Sequence, residues 1–256
     1  MEEFRYTLHG LNDSNESNES KKYSNIINEL LNKEQLQYIF KNFQKVKISN
    51  FLEYKYAEIV FQNILNEKSW VLATGIDKMK YEKPVIPVND KINNIQLKNV
   101  NNAFGNDKFS YVFFRSMNGS MNGTSKMSYI EFTLRQTLNS KDFINMLNEI
   151  TGMELKGLTT LFLSKYKSGN FLSPHSDKGN GRLAFVINLT KGWKPQYGGI
   201  LHFMNEERNE IIDSYVPEFN SFVIFNVPEE KGIPHFVSHV APNIKFNRYA
   251  ITGWFN

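Results

Sequence analysis

The sequence predicts an α+β fold, with helices in the first part of the chain and a β-rich remainder of jelly-roll type. Beyond residue 157, runs of Val, Ile, Leu, Phe and Tyr are separated by Gly, Pro and Asn. The separators recur at intervals of about 8 to 15 residues, which is typical of a sandwich or barrel. Before residue 157, apolar residues recur at helical spacing in several segments. Because helices come first and strands afterwards, we expect the helices to pack on one face of the sheet.

The composition is that of a globular protein without thiol chemistry. The chain has 256 residues, of which 41% are hydrophobic and 22% charged, and it contains no cysteine. Any metal must therefore be held by His, Asp or Glu, and a cysteine nucleophile is excluded. The net charge of +4 comes from scattered lysines and does not form the basic patch that favours nucleic acid. No signal peptide and no apolar run of ~20 residues is visible, so we expect a cytoplasmic protein that does not span a membrane.

The first part of the chain is predicted to begin with a leader and to continue with helices. Residues 1–24, which include the polar stretch NDSNESNESKK, are expected to be disordered. Helical spacing begins at Ile26 and continues to Phe43. Asn50 is the expected N-cap of the next helix, and Ser140 is expected to begin a further short helix.

Three strands and two long connections are predicted among these helices. The strands are KVKIS, SWVLATG and FSYVFFRSM. Residues 76–107 are rich in Asn, Lys and Pro and lack periodicity, so we expect a long excursion with at most short elements. MNGSMNGTSKM is expected to be a loop. Such connections could form lid loops over a site.

Seven strands are predicted in the second part of the chain. They are LTTLFLSKY, RLAFVINLT, GILHFM, EIIDSYV, SFVIFNV, HFVSHVA and NRYAITGWF. No linker interrupts the chain, so residues 25–256 are predicted to form one domain. Within it, residues 25–157 would support a jelly-roll core formed by residues 158–256.

A histidine and an aspartate stand two residues apart in NFLSPHSDKGNGR, after a run that reads as a strand. In extended backbone, His175 and Asp177 point to the same face and can address one ion. Two ligands hold a metal poorly, so a third is needed, and two histidines with one carboxylate form the facial triad of non-haem Fe(II) oxygenases. A His-x-Asp pair alone also occurs in ordinary surface loops.

Two further histidines and an arginine follow near the C-terminus. His235 and His239 lie four residues apart, so both could face the same side of a strand. Arg248 stands in an otherwise apolar strand, where an unpaired guanidinium would be costly. The arginine therefore implies a buried carboxylate partner, which its planar fork suits.

These motifs together resemble a known family. His-x-Asp, a later histidine, an arginine nine residues after His239 and the ending RYAITGWF are similar to the Fe(II)- and 2-oxoglutarate-dependent oxygenases, and within them to the prolyl 4-hydroxylase-like branch. KYKSGNFLSPHSD, NLTKGWKPQYGGILHF and VPEFNSFVIFNV resemble segments around the iron site of that family. VKISNFL, SWVLATG and FSYVFFRSM resemble the N-terminal part of that family more weakly.

The resemblance implies a double-stranded β-helix core, an Fe(II) ion, 2-oxoglutarate as cosubstrate, O2, and ascorbate as reductant. It implies His175, Asp177 and His239 as iron ligands and Arg248 as the residue that binds the distal carboxylate of 2-oxoglutarate. Further cosubstrate contacts implied by it are Tyr166, Thr252 and, in place of a tyrosine of some relatives, Asn188. His235 is the rival third ligand, but its thirteen residues to Arg248 exceed the usual spacing.

The resemblance leaves the substrate open between two classes. Hydroxylation of a prolyl residue in a protein or peptide is the first expectation, and hydroxylation of a free amino acid or small metabolite is the alternative. Arg182 matches a substrate-contacting position in some prolyl hydroxylases, but it could equally be a solvated turn residue. A catalytically silent jelly-roll binding protein is the alternative of another class, and the intact set of His, Asp and Arg argues against it.

Overall fold

The computed structural model describes residues 26–28, 31–67, 70–77, 79–81, 90–116, 129–230 and 232–256. The predicted leader, the predicted loop of residues 117–127, and residues 78 and 82–89 of the excursion lie outside these ranges. The helices are α1 (Lys33–Phe43), α2 (Tyr54–Asn66), α3 (Asp90–Gly105), α4 (Tyr129–Leu138) and α5 (Lys141–Thr151). The strands of the first half are β1 (Lys45–Ile48), β2 (Trp70–Ile76), β3 (Met79–Tyr81) and β4 (Ser110–Ser116).

The second half is almost entirely β-structure, as predicted. Its strands are β5 (Leu158–Tyr166), β6 (Phe171–His175), β7 (Leu183–Asn188), β8 (Leu201–Met204), β9 (Ile211–Tyr215), β10 (Ser221–Asn226), β11 (His235–Val237) and β12 (Arg248–Phe255). A short 3-10 helix, Pro195–Tyr197, precedes β8. The bounds predicted for β5 agree with the structure at both ends, and those of the other predicted strands agree to within a few residues.

All strand pairs are antiparallel and join in one strongly curved sheet. The order is β1-β10-β7-β12-β5-β4-β6-β11-β8-β9, and β2 pairs with β4 on its other side. β4 bonds to both β5 and β6, so it links the two layers of a nearly closed jelly roll. The predicted jelly-roll fold with helices on one sheet is confirmed.

The outer face of the sheet is covered by the helices. Phe185, Ile187, Phe222 and Ile224 alternate with inward-facing residues and pack against apolar side chains of α1, α2, α4 and α5. Each of these helices presents one apolar stripe to the sheet, such as Ala57, Val60 and Ile64 of α2. The main hydrophobic core therefore lies between the helices and the sheet.

The inner face of the same strands lines the interior of the jelly roll. Ala184, Val186, Val223 and Phe225 occupy the alternate positions and pack with residues of β8 and β11 in a second apolar cluster. This inner cluster surrounds a cavity, and the polar residues of the predicted site lie on the strands that form it.

Several local predictions are wrong. Residues 76–107 contain the 16-residue helix α3, and α4 was not predicted. Asn50 has a left-handed backbone (φ 52°) and is not a helix cap, because α2 begins at Tyr54 with Glu53 in the capping position. Ile27 forms an isolated bridge to Leu52 instead of helix. The short helix predicted to begin at Ser140 is present as α5, and Ser140 is its N-cap, since its hydroxyl accepts a hydrogen bond from the Phe143 amide at 3.3 Å.

Among the residues that the structure describes, none of the helices is both long and apolar enough to cross a membrane.

Candidate metal and cosubstrate site

The histidines of β6 and β11 face each other across the antiparallel pair that these strands form. His175 ends β6 and His235 begins β11, and the two are register partners. Their ring centroids lie 4.3 Å apart. The predicted His-x-Asp motif is therefore completed by His235.

Asp177 lies between the two imidazoles. Its Oδ1 is 3.3 Å from His175 Nε2, and its Oδ2 is 3.4 Å from His235 Nε2. One ligand atom from each of the three residues lies within 4.8 Å of the others, and among the residues covered by the structure this is the only such group of three or more His, Cys, Asp or Glu. Two nitrogens and one oxygen converging in this way suit a divalent transition metal.

Backbone carbonyls fix the tautomer of both rings. His175 Nδ1 lies 3.0 Å from the Ser173 carbonyl, and His235 Nδ1 lies 2.8 Å from the Ile233 carbonyl. A carbonyl oxygen can only accept, so each Nδ1 carries the proton and each Nε2 keeps its lone pair. Rings held in this way, with Nε2 directed at a shared point, are typical of metal ligands.

The electrostatics keep the group in its ligating state. Burial, and then the neighbouring His235, lower the pKa of His175, so this ring is neutral near pH 7. Burial alone would raise the pKa of Asp177, but His235 and His175 together hold it well below its usual range. An ionised carboxylate and a neutral imidazole are the forms that bind a metal.

The choice of His239 as third ligand is corrected by the geometry. The ring of His239 stacks on Phe171 at a centroid distance of 4.0 Å and meets Phe104 edge-on at 4.8 Å. β11 ends at Val237, so His239 lies beyond the strand and does not share the face of His235. The expected spacing to Arg248 had favoured His239, whereas the strand pairing of β6 with β11 selects His235.

Arg248, at the start of β12, is buried inside the same jelly roll. It is only 3% exposed and pairs across the sheet with Tyr166, whose ring centroid lies 4.9 Å from its Cζ. Its Nη2 donates to Asn188 Oδ1 at 3.4 Å, while its Nε is buried without a partner. Burial lowers the pKa of Arg248 although Tyr166 raises it, and burial raises the pKa of Tyr166 to about 12.

The carboxylate partner expected for Arg248 is not supplied by the described part of the chain, where its guanidinium makes no ion pair within 4.0 Å. A buried cation of this kind costs free energy unless an anion pairs with it. The residues present therefore fit an anionic ligand at Arg248 and a metal at the three converging side chains.

One cavity of about 460 Å³ contains both features. Its wall includes His175, Asp177 and His235 together with Arg248, Tyr166 and Thr252. This volume lies within the usual range of small-molecule sites. The structure therefore brings together the predicted Tyr166, Thr252 and Arg248 with the His-x-Asp motif.

Three predicted residues are outside this wall: His239, Arg182 and Asn188. Arg182 does not line the cavity, and its Nη1 donates to the Glu154 carbonyl at 3.0 Å, so its contact with substrate stays a prediction. Asn188 lies behind Arg248 and not in the cavity wall. His202 is an ordinary strand histidine, with Nδ1 2.8 Å from Ser214 Oγ.

The sequence reasoning missed an aromatic wall on β4. Phe109, Tyr111 and Phe113 line the cavity together with Arg115. The ring centroid of Tyr111 lies 5.7 Å from that of Phe109 and 5.6 Å from that of Phe113. The ring of Phe109 also lies 5.6 Å from that of His175. The signal was present, because these residues alternate in KFSYVFFRS and alternate residues of a strand share one face.

Residues 161–256 match the sequence model of the 2OG-Fe(II) oxygenase superfamily. The matched segment contains the candidate metal ligands, Arg248 and all strands of the jelly roll from β6 to β12. The match spans 96 of the 256 residues, so it is a similarity to that superfamily over the C-terminal part of the chain.

Two curated relatives are named prolyl 3-hydroxylase OGFOD1. The mouse (Mus musculus) protein is 29% identical over 120 residues, which are 45% of this chain, and the Xenopus laevis protein is 33% identical over 136 residues, or 51% of this chain. The matched regions cover 22% and 26% of those proteins, so this chain corresponds to about a quarter of their length.

Solved prolyl hydroxylases share the fold of this chain at low sequence identity. A Pseudomonas putida prolyl-4-hydroxylase superposes with a TM-score of 0.55 at 15% identity, covering 88% of this chain and 98% of that one. A Trichoplax adhaerens prolyl hydroxylase, solved with a hypoxia inducible factor peptide, superposes with a TM-score of 0.57 at 16% identity, covering 94% and 93%.

Proposed function

We propose that this chain is an Fe(II)- and 2-oxoglutarate-dependent dioxygenase that hydroxylates a prolyl residue in a protein or peptide. The observation that carries the proposal is the shared cavity, in which the group of His175, Asp177 and His235 and the ion-pair-free Arg248 face one space. The reaction would release succinate and CO2. A cytoplasmic location and ascorbate as reductant stay predictions.

The three converging side chains would hold Fe(II). Three protein ligands on one side of an octahedral ion leave three positions for other ligands. When bound, Fe(II) with 2-oxoglutarate supplies the oxidising chemistry that removes a hydrogen atom from an unactivated C–H bond. His175 and His235 contribute fixed lone pairs, and Asp177 contributes the charge that balances half of the dication.

Arg248 would bind the distal carboxylate of 2-oxoglutarate. Its cation is buried and enclosed by the sheet, where a charge-assisted contact is stronger than in water. Tyr166 and Thr252 line the cavity with it and would orient the cosubstrate. The apolar inner cluster that surrounds the cavity would limit the access of water to this end.

Support for a prolyl substrate comes from the names of the relatives and from the aromatic wall. The curated relatives are prolyl 3-hydroxylases, and the structural neighbours include a prolyl-4-hydroxylase and a prolyl hydroxylase in complex with a peptide. Phe109, Tyr111 and Phe113 offer flat apolar surfaces beside His175. A pyrrolidine ring suits such surfaces, and its fixed φ lowers the cost of ordering a bound peptide.

The test is turnover with proline-containing peptides in the presence of Fe(II), 2-oxoglutarate and ascorbate. We expect succinate release and a mass increase of one oxygen atom on a prolyl residue, measured by mass spectrometry. Fragment spectra compared with 3-hydroxyproline and 4-hydroxyproline standards would identify the carbon. Free amino acids are assayed in parallel, because oxygen gain by one of them alone would establish the small-molecule alternative.

A matched pair of arginine variants supplies the control. Arg248→Ala removes a charged contact, and we expect the KM for 2-oxoglutarate to rise by about 10- to 100-fold. Arg182→Ala removes an arginine that lies outside the cavity wall, so its KM for 2-oxoglutarate should equal that of the parent. Absence of 2-oxoglutarate turnover in the parent with every substrate would favour the catalytically silent reading.

A further inference from the structure

A chain of hydrogen bonds runs behind Arg248, on the side away from the cavity. Arg248 Nη2 donates to Asn188 Oδ1 at 3.4 Å, Asn188 Nδ2 donates to Ser221 Oγ at 3.2 Å, and Ser221 Oγ donates to the Glu218 carbonyl at 2.8 Å. Asn188 is 3% exposed and Ser221 is fully buried. Neither of the two belongs to the cavity wall.

The donor and acceptor roles in this hydrogen-bond series are set by its last acceptor, the Glu218 carbonyl. The Glu218 carbonyl can only accept, so the Ser221 hydroxyl must donate to it. The Ser221 oxygen is then an acceptor toward Asn188, which must present its Nδ2. The other end of the Asn188 amide, Oδ1, is thereby turned toward the guanidinium of Arg248. The serine hydroxyl decides which way the amide faces.

The backbone makes this arrangement rigid. Asn188 and Ser221 are register partners on the antiparallel strands β7 and β10. The Asn220 amide donates to the Asn188 carbonyl at 2.8 Å, and the Ser221 amide donates to the Glu218 carbonyl at 3.2 Å. Both polar groups of the Asn188 side chain are occupied, so it holds the arginine and does not itself contact a ligand in the cavity.

We propose that Ser221 is a positioning residue for the cosubstrate, acting through Asn188 on the guanidinium of Arg248. This inference rests on the proposed role of Arg248 in binding 2-oxoglutarate. An amide turned the other way would present Nδ2 to the guanidinium, and two donors would then face each other. The series of hydrogen bonds therefore holds Arg248 in one rotamer and keeps its remaining donors directed at the cavity.

The expected effect of removing the hydroxyl is moderate and specific. Ser221→Ala leaves the Asn188 amide without the acceptor that orients it. Because one neutral hydrogen bond is lost, the Kd for 2-oxoglutarate should rise by about three- to tenfold. The Kd for the metal and the KM for the peptide should stay at the parental values, because neither involves Arg248. Ser221→Thr keeps the hydroxyl and should restore the parental affinity.

The experiment measures 2-oxoglutarate binding to the Mn(II)-loaded full chain by calorimetry, in which turnover plays no part. Ser221→Ala is compared in two backgrounds, the parent and Asn188→Ala. If Ser221 acts through Asn188, its substitution weakens binding in the parent and has no further effect in Asn188→Ala. Thr137→Val is the matched control, because it removes another buried hydroxyl, on α4 and outside the site.

Three results would overturn the inference. An unchanged Kd in Ser221→Ala would remove the positioning role, and so would an equal loss in both backgrounds. A similar loss in Thr137→Val would point to general destabilisation. If the proposed function itself is wrong, the unsubstituted protein will bind no 2-oxoglutarate. That result differs from the three above and would overturn the inference as well.

Discussion

A histidine can bind a metal through Nε2 when a backbone carbonyl accepts a hydrogen bond from its Nδ1. This arrangement is present at His235 and distinguishes it from His239. His235 has Nδ1 fixed by the Ile233 carbonyl and Nε2 directed at Asp177. His239 instead has Phe171 stacked on its ring and Phe104 in an edge contact, and burial lowers its pKa without a carboxylate among the causes. The two residues are alike in sequence but unlike in environment.

Substitution of each histidine tests this assignment. His235→Ala should weaken Mn(II) binding by about 100-fold or more, because it removes a ligand, and losses of 10- to 100-fold are already typical for residues that only support one. His239→Ala should keep metal affinity and lose stability through the Phe171 contact. Calorimetric titration with Mn(II) decides between them. A loss confined to His239→Ala would restore the assignment expected from sequence spacing.

Lys165 is a second residue whose environment is unusual for its type. It is 9% exposed, with Nζ 4.2 Å from the ring centroid of Trp70 and 5.1 Å from that of Phe114. Burial, and then the charge of Lys167, lower the pKa of Lys165 to about 8, although Glu67 raises it. The aromatic faces favour the charged form and offset part of the burial cost.

The shift at Lys165 predicts a pH dependence of stability. Between pH 8 and the ordinary lysine pKa of about 10.4, the unfolded chain holds a proton at this site that the folded chain releases, so the free energy of unfolding rises with pH. Urea titrations of the parent and of Lys165→Met at pH 7, 8.5 and 9.5 measure it. The stability of the parent relative to the variant should increase over this series, and a pH-independent difference would contradict the prediction.

At the scale of elements, strands were predictable where their pattern was strong. β5 and β12 combine β-branched and aromatic residues with turn residues at their ends, and the predicted spans enclose the observed ones. α3 was missed because its pattern is weak. Val100 and Ala103 are buried, but Ile95 and Phe104 are largely exposed and asparagines fill many other positions.

The third candidate metal ligand could not be predicted from spacing for a related reason. His235 and His239 satisfy the same alternation, and the length of β11 decides which of them faces Asp177. That length depends on pairing with β6 and β8, which are distant in sequence. His175 and Asp177 were predictable because both belong to one extended segment.

Two glycines before β8, Gly198 and Gly199, lie close to the backbone of His239 and to the side chain of Arg248. Gly198 has φ +68° and forms a bridge with Val240, and a Cβ there would lie inside contact distance of the His239 carbonyl. A Cβ at Gly199 would meet Arg248 Cδ at 3.2 Å. The close approach of this turn therefore needs residues without side chains.

Gly192 provides a matched comparison, since its φ of +65° is similar and no atom lies within 4 Å of its added Cβ. Gly192→Ala should cost only the left-handed backbone penalty, about 1 to 2 kcal/mol. Gly198→Ala should cost about 1 to 3 kcal/mol more, because the carbonyl must also move. Thermal unfolding of the two variants measures the difference. Equal losses would show that the turn has room for a side chain.

At the scale of the whole molecule, the two halves of the sequence are interleaved in one sheet. β4 lies between β5 and β6, and β1 pairs with β10. The core beneath the helices combines Phe40, Phe51 and Leu147 with Phe185 and Phe222. The family match over residues 161–256 therefore covers the candidate metal ligands but only part of the structure that supports them.

This arrangement predicts that residues 158–256 do not fold alone. Without the first half, the outer face of the sheet loses at least three buried side chains, Phe40, Phe51 and Leu147, that pack on it. Burial of each contributes about 1.5 to 3 kcal/mol, and the covered faces of their partners in the sheet add to this. The sum is comparable with the whole stability of a typical domain, about 5 to 15 kcal/mol.

The fragment is compared with the full chain by circular dichroism during thermal unfolding and by Mn(II) titration. We expect no cooperative transition and no metal binding from the fragment, because β6 loses its pairing with β4 and His175 is then no longer held opposite His235. The full chain should show both. A fragment that unfolds cooperatively and binds Mn(II) with the affinity of the full chain would mean that the jelly roll is self-sufficient and that the helices serve another purpose.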